Sequence, residues 1–420
     1  MKLAEVASCV SGYDPNALPV AAAREVIARL LPTVGETQVV ALRDALGRIL
    51  AQNVTSPIDV PAHDNAAMDG FALRGAELKR DGPTVLRIVG TGLAGKRFDE
   101  AVNAGECVRV MTGAVMPAGL DTVVPQEFAQ VHGDTLTVPS GVVRTGDHRR
   151  VAGEDLPRGS AALRAGRRVR PADVGLLASL GLGEIAVRRR LRVAFFSTGD
   201  ELRSIGEPLE SGCVYDSNRY TLEAMLRRLD VDAIDLGVVR DEPAPLEAAF
   251  ARAAREADAV VTSGGVSVGE ADHTKRVMAR LCDVLFWKIA MRPGRPLAVG
   301  RIGQAMLFGL PGNPVAVMVT FYAFVRDALL AMAGAAEPPL PMLRAACAHP
   351  LRKKPGRTEY QRGIVRQRED GCWQVAITGA QGSGILRSMS EANAFVVLEH
   401  DRGDVAAGEP VGVILFDGLV

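Results

Sequence analysis

The sequence lacks an excess of charge of either sign, and it lacks a long apolar run. Its 49 lysines and arginines balance 49 aspartates and glutamates, which excludes a dedicated nucleic-acid binder and requires any anion to be bound by a local site. The longest apolar stretch, Val315 to Val325, is shorter than a bilayer span and contains Thr320 and Tyr322. Met1 to Pro15 lacks the basic and apolar segments of a signal peptide. We therefore expect a soluble, cytoplasmic protein that contacts neither nucleic acid nor membrane.

Cysteine pairs are also missing. The six cysteines are scattered without a C-x-x-C pair, so the sequence indicates a reducing compartment and gives no support to a zinc site. No internal repeat is visible. The 420 residues, 48% of them hydrophobic, suggest about three domains at ~150 residues each.

The first part of the chain mixes helices with a β-rich segment. The apolar spacing predicts a helix from Pro19, with Ala23, Val26, Ile27 and Leu30 on one face, and a second short helix near Asp44 to Leu50. Residues 72–145 are typical of short strands broken by Gly and Pro. Helix signals return at Pro171, so the β-rich segment is predicted to be an insertion in a helical domain.

Within that segment, residues 90–96 fit G-x-G-x-x-G and most of a P-loop. Arg97 stands where a P-loop needs Ser or Thr, and no amphipathic helix follows. We interpret this stretch as the corner of a β-hairpin.

From Leu191 the pattern changes to alternating strands and helices. Apolar runs predict strands at 192–197, 233–239, 259–263, 284–290 and 305–310, with helices at 218–229, from Pro243, and from Asn313 to Met332. This is the pattern of a doubly wound α/β domain with a largely parallel sheet. After Pro338 the chain again resembles short strands, joined by polar loops that carry Arg357, Arg362, Ser383 and Ser388.

The segment Ala259 to Asp272 is the strongest candidate for a site. A buried strand runs into a loop with three glycines and three hydroxyls, and Asp272 stands at the expected start of the next helix. Such a strand–loop–helix holds anions, commonly phosphate. A glycine-rich turn with a capping Asp explains the loop equally well, and both interpretations remain open at this point.

Ligands of doubly wound sheets lie beyond the carboxyl ends of the strands. Acidic residues follow three of the predicted strands, and unpaired acids repel one another, so a bound Mg²⁺ is the economical explanation. The predicted metal ligands are Asp200, Glu201, Asp241 and Asp272. The basic residues predicted to face anions are Lys275, Lys288, Arg292 and Arg295.

Several stretches together resemble one family, the MoeA type of molybdopterin molybdenumtransferase, which is also found as the E domain of gephyrin. The match runs in order along nearly the whole chain. It is carried by residues 59–70, 111–113, 153–155, 197–201, 262–269 and 309–314.

The resemblance implies four domains: a segmented elongated domain (1–52 and 146–190), an inserted β domain (53–145), a molybdopterin-binding α/β domain (191–336) and a C-terminal β-barrel (337–420). It implies a homodimer whose active site joins the α/β domain of one subunit to the first domains of the other. The implied reaction is Mg²⁺-dependent insertion of molybdate into adenylylated molybdopterin, with release of AMP and molybdenum cofactor. Transient contact with other proteins of cofactor synthesis is also expected.

Carried over by position, the resemblance implies site residues in all these domains. The catalytic positions are Asp59, Thr112, Asp155, Glu201, Asp241, Asp272 and Lys288. The residues predicted to bind the pterin substrate or molybdate are Thr262, Ser263, Gly264, Gly265, Ser267, Lys275, Arg292, Arg295, Pro311, Pro314, Arg357 and Ser383. Among them, Lys275, Arg292, Arg295 and Arg357 are predicted from their charge and their loop positions rather than from the resemblance.

The chain departs from the family pattern at a few positions. Ala66 and Ala316 stand where many members have serine, and Arg292 and Arg295 replace lysines common in relatives. Two alternative functions share features with this sequence. One is the preceding adenylyltransferase, which shares the Gly-Gly loop and would consume ATP. The other is a scaffold role like that of gephyrin.

Overall fold

The computed structural model describes residues 3–8, 13–266, 273–337 and 340–416. The chain divides into two compact units. The first comprises residues 1–51, 166–170 and 185–420, and the second comprises residues 52–165 and 171–184. The four-part domain boundaries inferred from the sequence remain a prediction.

The helices within the described residues are α1 (Leu3–Ser8), α2 (Val20–Leu30), α3 (Pro171–Ser179), α4 (Ser217–Arg228), α5 (Pro243–Glu256), α6 (His273–Leu281), α7 (Pro314–Thr320), α8 (Arg326–Met332) and α9 (Arg387–Glu391). A π-helical turn, Phe321–Val325, joins α7 to α8.

The strands are β1 (Thr37–Ala41), β2 (Val54–Thr55), β3 (Asn65–Ala66), β4 (Gly70–Leu73), β5 (Thr84–Gly92), β6 (Glu106–Val110), β7 (Thr122–Pro125), β8 (Gln130–His132), β9 (Thr135–Val138), β10 (Arg149–Arg150), β11 (Ala161–Leu163), β12 (Glu184–Arg188), β13 (Arg192–Thr198), β14 (Leu202–Arg203), β15 (Val214–Tyr215), β16 (Asp232–Val239), β17 (Ala259–Ser263), β18 (Asp283–Lys288), β19 (Met291–Arg292), β20 (Pro296–Ile302), β21 (Ala305–Leu310), β22 (Leu343–Cys347), β23 (Thr358–Gln367), β24 (Trp373–Ile377), β25 (Ala394–Leu398) and β26 (Pro410–Leu415).

The first unit contains a doubly wound sheet of order β16-β13-β17-β21-β20-β18. The first four strands are parallel, whereas β20 is antiparallel to both of its neighbours. Successive residues of each strand enter opposite cores: Phe195 packs on the face with α2, α4 and α7, and Phe196 on the face with α5 and α6. The predicted α/β architecture is confirmed.

The same unit ends in a closed β-barrel. Its strands follow the order β23-β24-β22-β26-β25, and pairing of β23 with β25 closes the ring. The barrel's interior is an apolar core that includes Val365, Val396 and Val413. This confirms the predicted C-terminal barrel.

The second unit is built on a six-stranded sheet of order β7-β4-β6-β5-β9-β8. Alternation along β4 and β6 divides its interior into two apolar clusters, with Ala72 and Val108 in one and Phe71 and Cys107 in the other. Residues 90–96 form the end of β5 and a tight turn in which Leu93 bridges Lys96. The interpretation as a β corner rather than a P-loop is therefore confirmed.

Two local predictions were wrong. The expected helix from Asp44 to Leu50 is instead a 3₁₀ turn, Leu42–Asp44, followed by Gly47 at φ +78°, a conformation that ends a right-handed helix. The predicted strands also omitted β20, which begins at Pro296. Proline is compatible with the first residue of a strand, and Pro296 occupies that position.

One helical segment, Pro314–Met332, is long and apolar enough to cross a membrane by composition, but 78% of its most apolar window is buried inside the protein. Val317, Phe321 and Leu329 pack into the larger core. We therefore assign it as the central core helix of this unit.

Candidate functional site

A cavity of about 1320 Å³ lies at the carboxyl edge of the sheet in the first unit. The ends of β13, β16, β17, β18 and β21 and the beginning of β20 supply most of its lining, and the start of α4, Arg357 and the barrel loop 381–384 contribute further residues. Because β18 runs in the same direction as the parallel strands, its last residue, Lys288, lies at this edge as well. The topology places the cavity where doubly wound sheets bind ligands.

The glycine loop requires glycine at both central positions. Gly264 and Gly265 have φ of +92° and +66°. An added Cβ would lie 2.4 Å from the carbonyl oxygen of Thr198 at position 264, and 2.3 Å from Cβ of Thr274 at position 265. Side chains are therefore excluded, and the bare backbone of Ser263, Gly264 and Gly265 lines the cavity. Of the other predicted positions in this segment, Thr262 is buried outside the lining, and Ser267 lies outside the described residues.

Two of the predicted acids, Glu201 and Asp241, line the cavity. Asp200 does not, but its Oδ1 accepts a hydrogen bond from the backbone N–H of Asp241 at 3.4 Å. Asp272 lies outside the described residues. Within the described part of the chain, no group of three His, Cys, Asp or Glu side chains is arranged to hold a metal. Of the four predicted acids, the structure thus places two, Glu201 and Asp241, in the cavity lining.

Three of the four predicted cations also line the cavity: Lys288, Arg292 and Arg295. Arg357 joins them from the barrel, and its Nε donates to Glu359 at 2.8 Å. Lys275 is the exception, because its Nζ lies 5.2 Å from the ring centroid of Phe286 and the residue is not part of the lining. The cavity therefore combines carboxylates near the glycine loop with an excess of positive charge.

The barrel loop that carries Ser383 is fixed by a buried arginine. Arg362 is 1% exposed; its Nε donates to the hydroxyl of Ser388 at 3.0 Å, and an Nη donates to the carbonyl of Gly382 at 3.0 Å. Burial and the nearby charge of Arg292 lower the pKa of the Arg362 guanidinium to about 10, so it stays charged at neutral pH. Val315 N–H in turn donates to the carbonyl of Ser383 at 3.0 Å, which ties this loop to the first turn of α7.

The predicted proline pair, Pro311 and Pro314, lines the cavity on either side of Gly312 and Asn313. Sequence reasoning missed Tyr215, Asp216 and Asn218, which line it too. The sequence predicted only a helix here. A usable signal was the run of polar residues before the apolar face of α4. Polar side chains in the first turn of a helix that follows a strand point toward the carboxyl edge of the sheet.

In the second unit, two polar segments meet around Asp59. The backbone N–H of Arg158 donates to Asp59 Oδ1 at 2.8 Å, and Asp155 N–H donates to the carbonyl of Val60 at 3.1 Å. Pairing of β3 with β10 and of β2 with β11 holds these segments together. The structure thus brings the predicted residues Asp59 and Asp155 into one loop cluster.

The third predicted residue of this unit, Thr112, is exposed and donates to Asp69 through both its N–H and its hydroxyl, each at 2.7 Å. These two hydrogen bonds hold the pKa of the Asp69 carboxyl below its usual range.

Comparison with known families matches three consecutive regions. Residues 18–181 match the MoeA N-terminal region (domains I and II), residues 194–331 match a model described as "probable molybdopterin binding domain", and residues 344–416 match the MoeA C-terminal region (domain IV). The α/β sheet with its glycine loop and edge cavity thus lies within the region that matches the probable molybdopterin binding domain.

Relatives match over the full length. The chain is 41% identical over 399 residues to the molybdopterin molybdenumtransferase of Haemophilus influenzae, covering 95% of this chain and 98% of the relative. It is 34% identical over 388 residues to that of Bacillus subtilis, covering 91% and 90%. The crystal structure of the molybdopterin biosynthesis moeA protein from Pyrococcus horikoshii OT3 superposes with a TM-score of 0.82 at 29% identity, covering 96% of this chain and 100% of that chain. The chain belongs to the MoeA family of molybdopterin molybdenumtransferases, and it is an enzyme of molybdenum cofactor biosynthesis.

Proposed function

We propose that this enzyme inserts molybdate into adenylylated molybdopterin in the cavity at the carboxyl edge, with Mg²⁺ bound, and releases AMP. The observation that carries the proposal is the composition of one cavity. Glu201 and Asp241 lie near the glycine loop, and Lys288, Arg292, Arg295 and Arg357 line the same space. Two anionic reactants repel each other in solution, so a site that joins them needs this much positive charge.

The carboxylates fit a magnesium ion. Mg²⁺ is bound in proteins by one or two carboxylates together with waters and substrate phosphates, and the cavity offers Glu201 and Asp241. When bound, the ion supplies Lewis-acid polarisation of the substrate's pyrophosphate. The backbone of the glycine loop approaches that pyrophosphate closely because positions 264 and 265 carry no side chain.

The basic residues of the cavity bind the second anionic reactant, molybdate. Arginine presents a planar fork of N–H donors that matches oxyanions, and Lys288 adds a point charge. Arg292, Arg295 and Arg357 collect molybdate and offset its charge as it approaches the dithiolene, and Ser383 contributes a hydroxyl from the barrel loop. Catalysis by this chain is therefore positional and electrostatic, with no side chain acting as a nucleophile.

Asp59, Thr112 and Asp155 act in the same reaction, and we propose that they do so from the second subunit of a homodimer. Mixing of two inactive variants tests this directly. When separately purified Asp155→Ala and Asp241→Ala proteins are mixed and allowed to exchange subunits, one intact site forms in each heterodimer and activity returns. Failure of activity to return, with heterodimer formation shown by mass spectrometry, contradicts the shared site.

The reaction itself is tested by mixing the enzyme with adenylylated molybdopterin, molybdate and Mg²⁺. The proposal predicts that AMP and molybdenum cofactor form together without consumption of ATP. Consumption of ATP would instead indicate the adenylyltransferase reaction. Arg292→Ala should raise the molybdate concentration needed for half-maximal rate, whereas the exposed Arg240→Ala, which lies outside the cavity lining, should not.

A further inference from the structure

A single buried amide joins two loops of the cavity. Nδ2 of Asn218 donates to the hydroxyl of Ser263 and to the carbonyl of Gly312, both at 2.7 Å. Ser263 ends β17 and begins the glycine loop, whereas Gly312 lies between the two prolines that follow β21. The two N–H bonds of one side chain therefore tie together both loops that follow the central strands of the sheet.

Asn218 is itself held firmly. It is 5% exposed and lies at the second position of α4, whose N-cap is Asp216. The Asp216 carboxylate accepts from the backbone N–H of Arg219 at 3.1 Å and from the hydroxyl of Ser197 at 3.0 Å. Ser197 lies near the end of β13. The beginning of α4 is thus anchored on the neighbouring strand.

The two hydrogen bonds that Asn218 donates come at a cost. Oδ1 of Asn218 is buried and has no hydrogen-bond partner among the described residues. Such an acceptor disfavours folding, whereas an apolar residue here would deprive Ser263 and Gly312 of the two N–H groups that they accept from. The backbone already supplies one direct link between the loops, from Gly264 N–H to the carbonyl of Leu310 at 3.1 Å. The amide of Asn218 adds a second connection between the same two loops, through Ser263 and Gly312.

We propose that Asn218 is a positioning residue that sets the spacing between the glycine loop 263–265 and the proline loop 311–314, and so holds both in the arrangement that binds the nucleotide part of the substrate. It acts through Ser263 and Gly312. The choice of a nucleotide as ligand rests on the proposed function, whereas the link between the loops does not. Pre-arranged loops lower the cost of binding because little freedom is lost when the ligand enters.

The link is tested without ligand by hydrogen–deuterium exchange of the full-length protein. In Asn218→Ala, peptides covering 259–266 and 306–314 should exchange about tenfold faster, both together, because two hydrogen bonds are lost. The matched control is Thr221→Ala on the same helix, whose hydroxyl donates to the carbonyl of Ser217 and, among the described residues, to no other group. This control should leave both peptides unchanged. Asn218→Asp, which keeps the shape but removes both N–H donors, should repeat the effect if the alanine variant does not fold.

The functional part is tested by calorimetric titration with AMP and Mg²⁺. AMP should bind about tenfold more weakly to Asn218→Ala and with unchanged affinity to Thr221→Ala. Unchanged exchange in both loops overturns the inference whatever the ligand. Faster exchange with unchanged AMP affinity overturns the role in nucleotide binding. If wild-type protein does not bind AMP, the proposed function fails, and the exchange experiment still decides whether Asn218 links the loops.

Discussion

The carboxylate of Asp241 accepts two hydrogen bonds from Thr274, one from its backbone N–H at 3.1 Å and one from its hydroxyl at 2.9 Å. Thr274 is the second residue of α6, the helix that follows the glycine loop. Asp241 thus satisfies an N–H group at the start of this helix from a different loop of the carboxyl edge. Asp241, which we propose as a metal ligand, therefore also stabilises the first turn of α6.

Substitution at Asp241 should separate these two roles. Asp241→Asn keeps an oxygen that can accept from Thr274, so stability should change little, whereas Asp241→Ala should lower the free energy of unfolding by about 1 kcal/mol. Both variants remove the charge and should raise the Mg²⁺ concentration needed for activity. Denaturant unfolding and rates measured over a Mg²⁺ series provide the test. Equal loss of stability in both variants would contradict the capping role.

Two glycines with the same φ angle provide a matched pair. Gly264 and Gly206 both have φ of +92°, but an added Cβ meets the Thr198 carbonyl oxygen at 2.4 Å in the first and open space in the second. Gly206→Ala should cost about 1–2 kcal/mol from the unfavourable φ alone. Gly264→Ala should cost more and should abolish AMP release, because the loop must move away from Thr198. The measurements are unfolding curves and enzyme rates; similar losses in both variants would show that crowding at the loop is unimportant.

The ion pair between Arg189 and Asp258, the residue before β17, should make the free energy of unfolding depend on pH. The pKa of the Asp258 carboxyl is raised by burial, but hydrogen bonds from the Arg189 guanidinium and Arg192 N–H outweigh this and lower it overall. Its contribution is therefore present above the unfolded-state pKa of about 3.9 and is lost as pH falls through the lower folded-state value. Asp258→Asn should cost about 2 kcal/mol at pH 7.

That difference between Asp258→Asn and wild type should shrink as the pH falls below about 4, which calorimetry at a series of pH values would measure. The control is Asp370→Asn, which removes a half-exposed partner of Arg368 and should change stability by less than about 1 kcal/mol at every pH. A constant difference for Asp258→Asn down to pH 3 would contradict the ion-pair account.

The position of loop 381–384 should depend on both hydrogen bonds that the buried Arg362 guanidinium donates to Ser388 and Gly382. Arg362→Lys keeps the charge but cannot donate from separate nitrogens to both Ser388 and Gly382. The loop 381–384 should then loosen, and the molybdate concentration for half-maximal rate should rise about tenfold. Arg366→Lys, at an exposed position on the same strand, is the control. Rates over a molybdate series decide, and wild-type behaviour of Arg362→Lys would show that this loop does not position molybdate.

The sequence predicted those parts of the fold that local patterns determine. Strand β17 and helix α5 followed from an apolar run and from an apolar face behind Pro243, and both are present. The carboxyl edge followed from topology, since strand ends in a parallel sheet meet at one edge. Glu201, Asp241 and Lys288 consequently share one cavity, as expected from the strands that precede them.

Other features depend on contacts between separate parts of the chain, and a local pattern does not reveal which residues meet. Lys275 has the charge and the position near the glycine loop that suggested a ligand, yet its ammonium lies over the Phe286 ring, because its side of the helix faces β18. Asn218 donates hydrogen bonds to Ser263 and Gly312, which lie 45 and 94 positions further along the chain. Whether Asp272 and Ser267 join the site remains a prediction, since both lie outside the described residues.

The most direct measurement of the central claim is AMP release from adenylylated molybdopterin as a function of Mg²⁺, with and without molybdate, for wild type, Glu201→Gln and Asp241→Asn. We predict Mg²⁺-dependent release in the wild type, coupled to formation of molybdenum cofactor, and a higher Mg²⁺ requirement in both variants. Release of AMP that is indifferent to Mg²⁺ and unchanged in both variants would contradict the account of two carboxylates and one cation in this cavity.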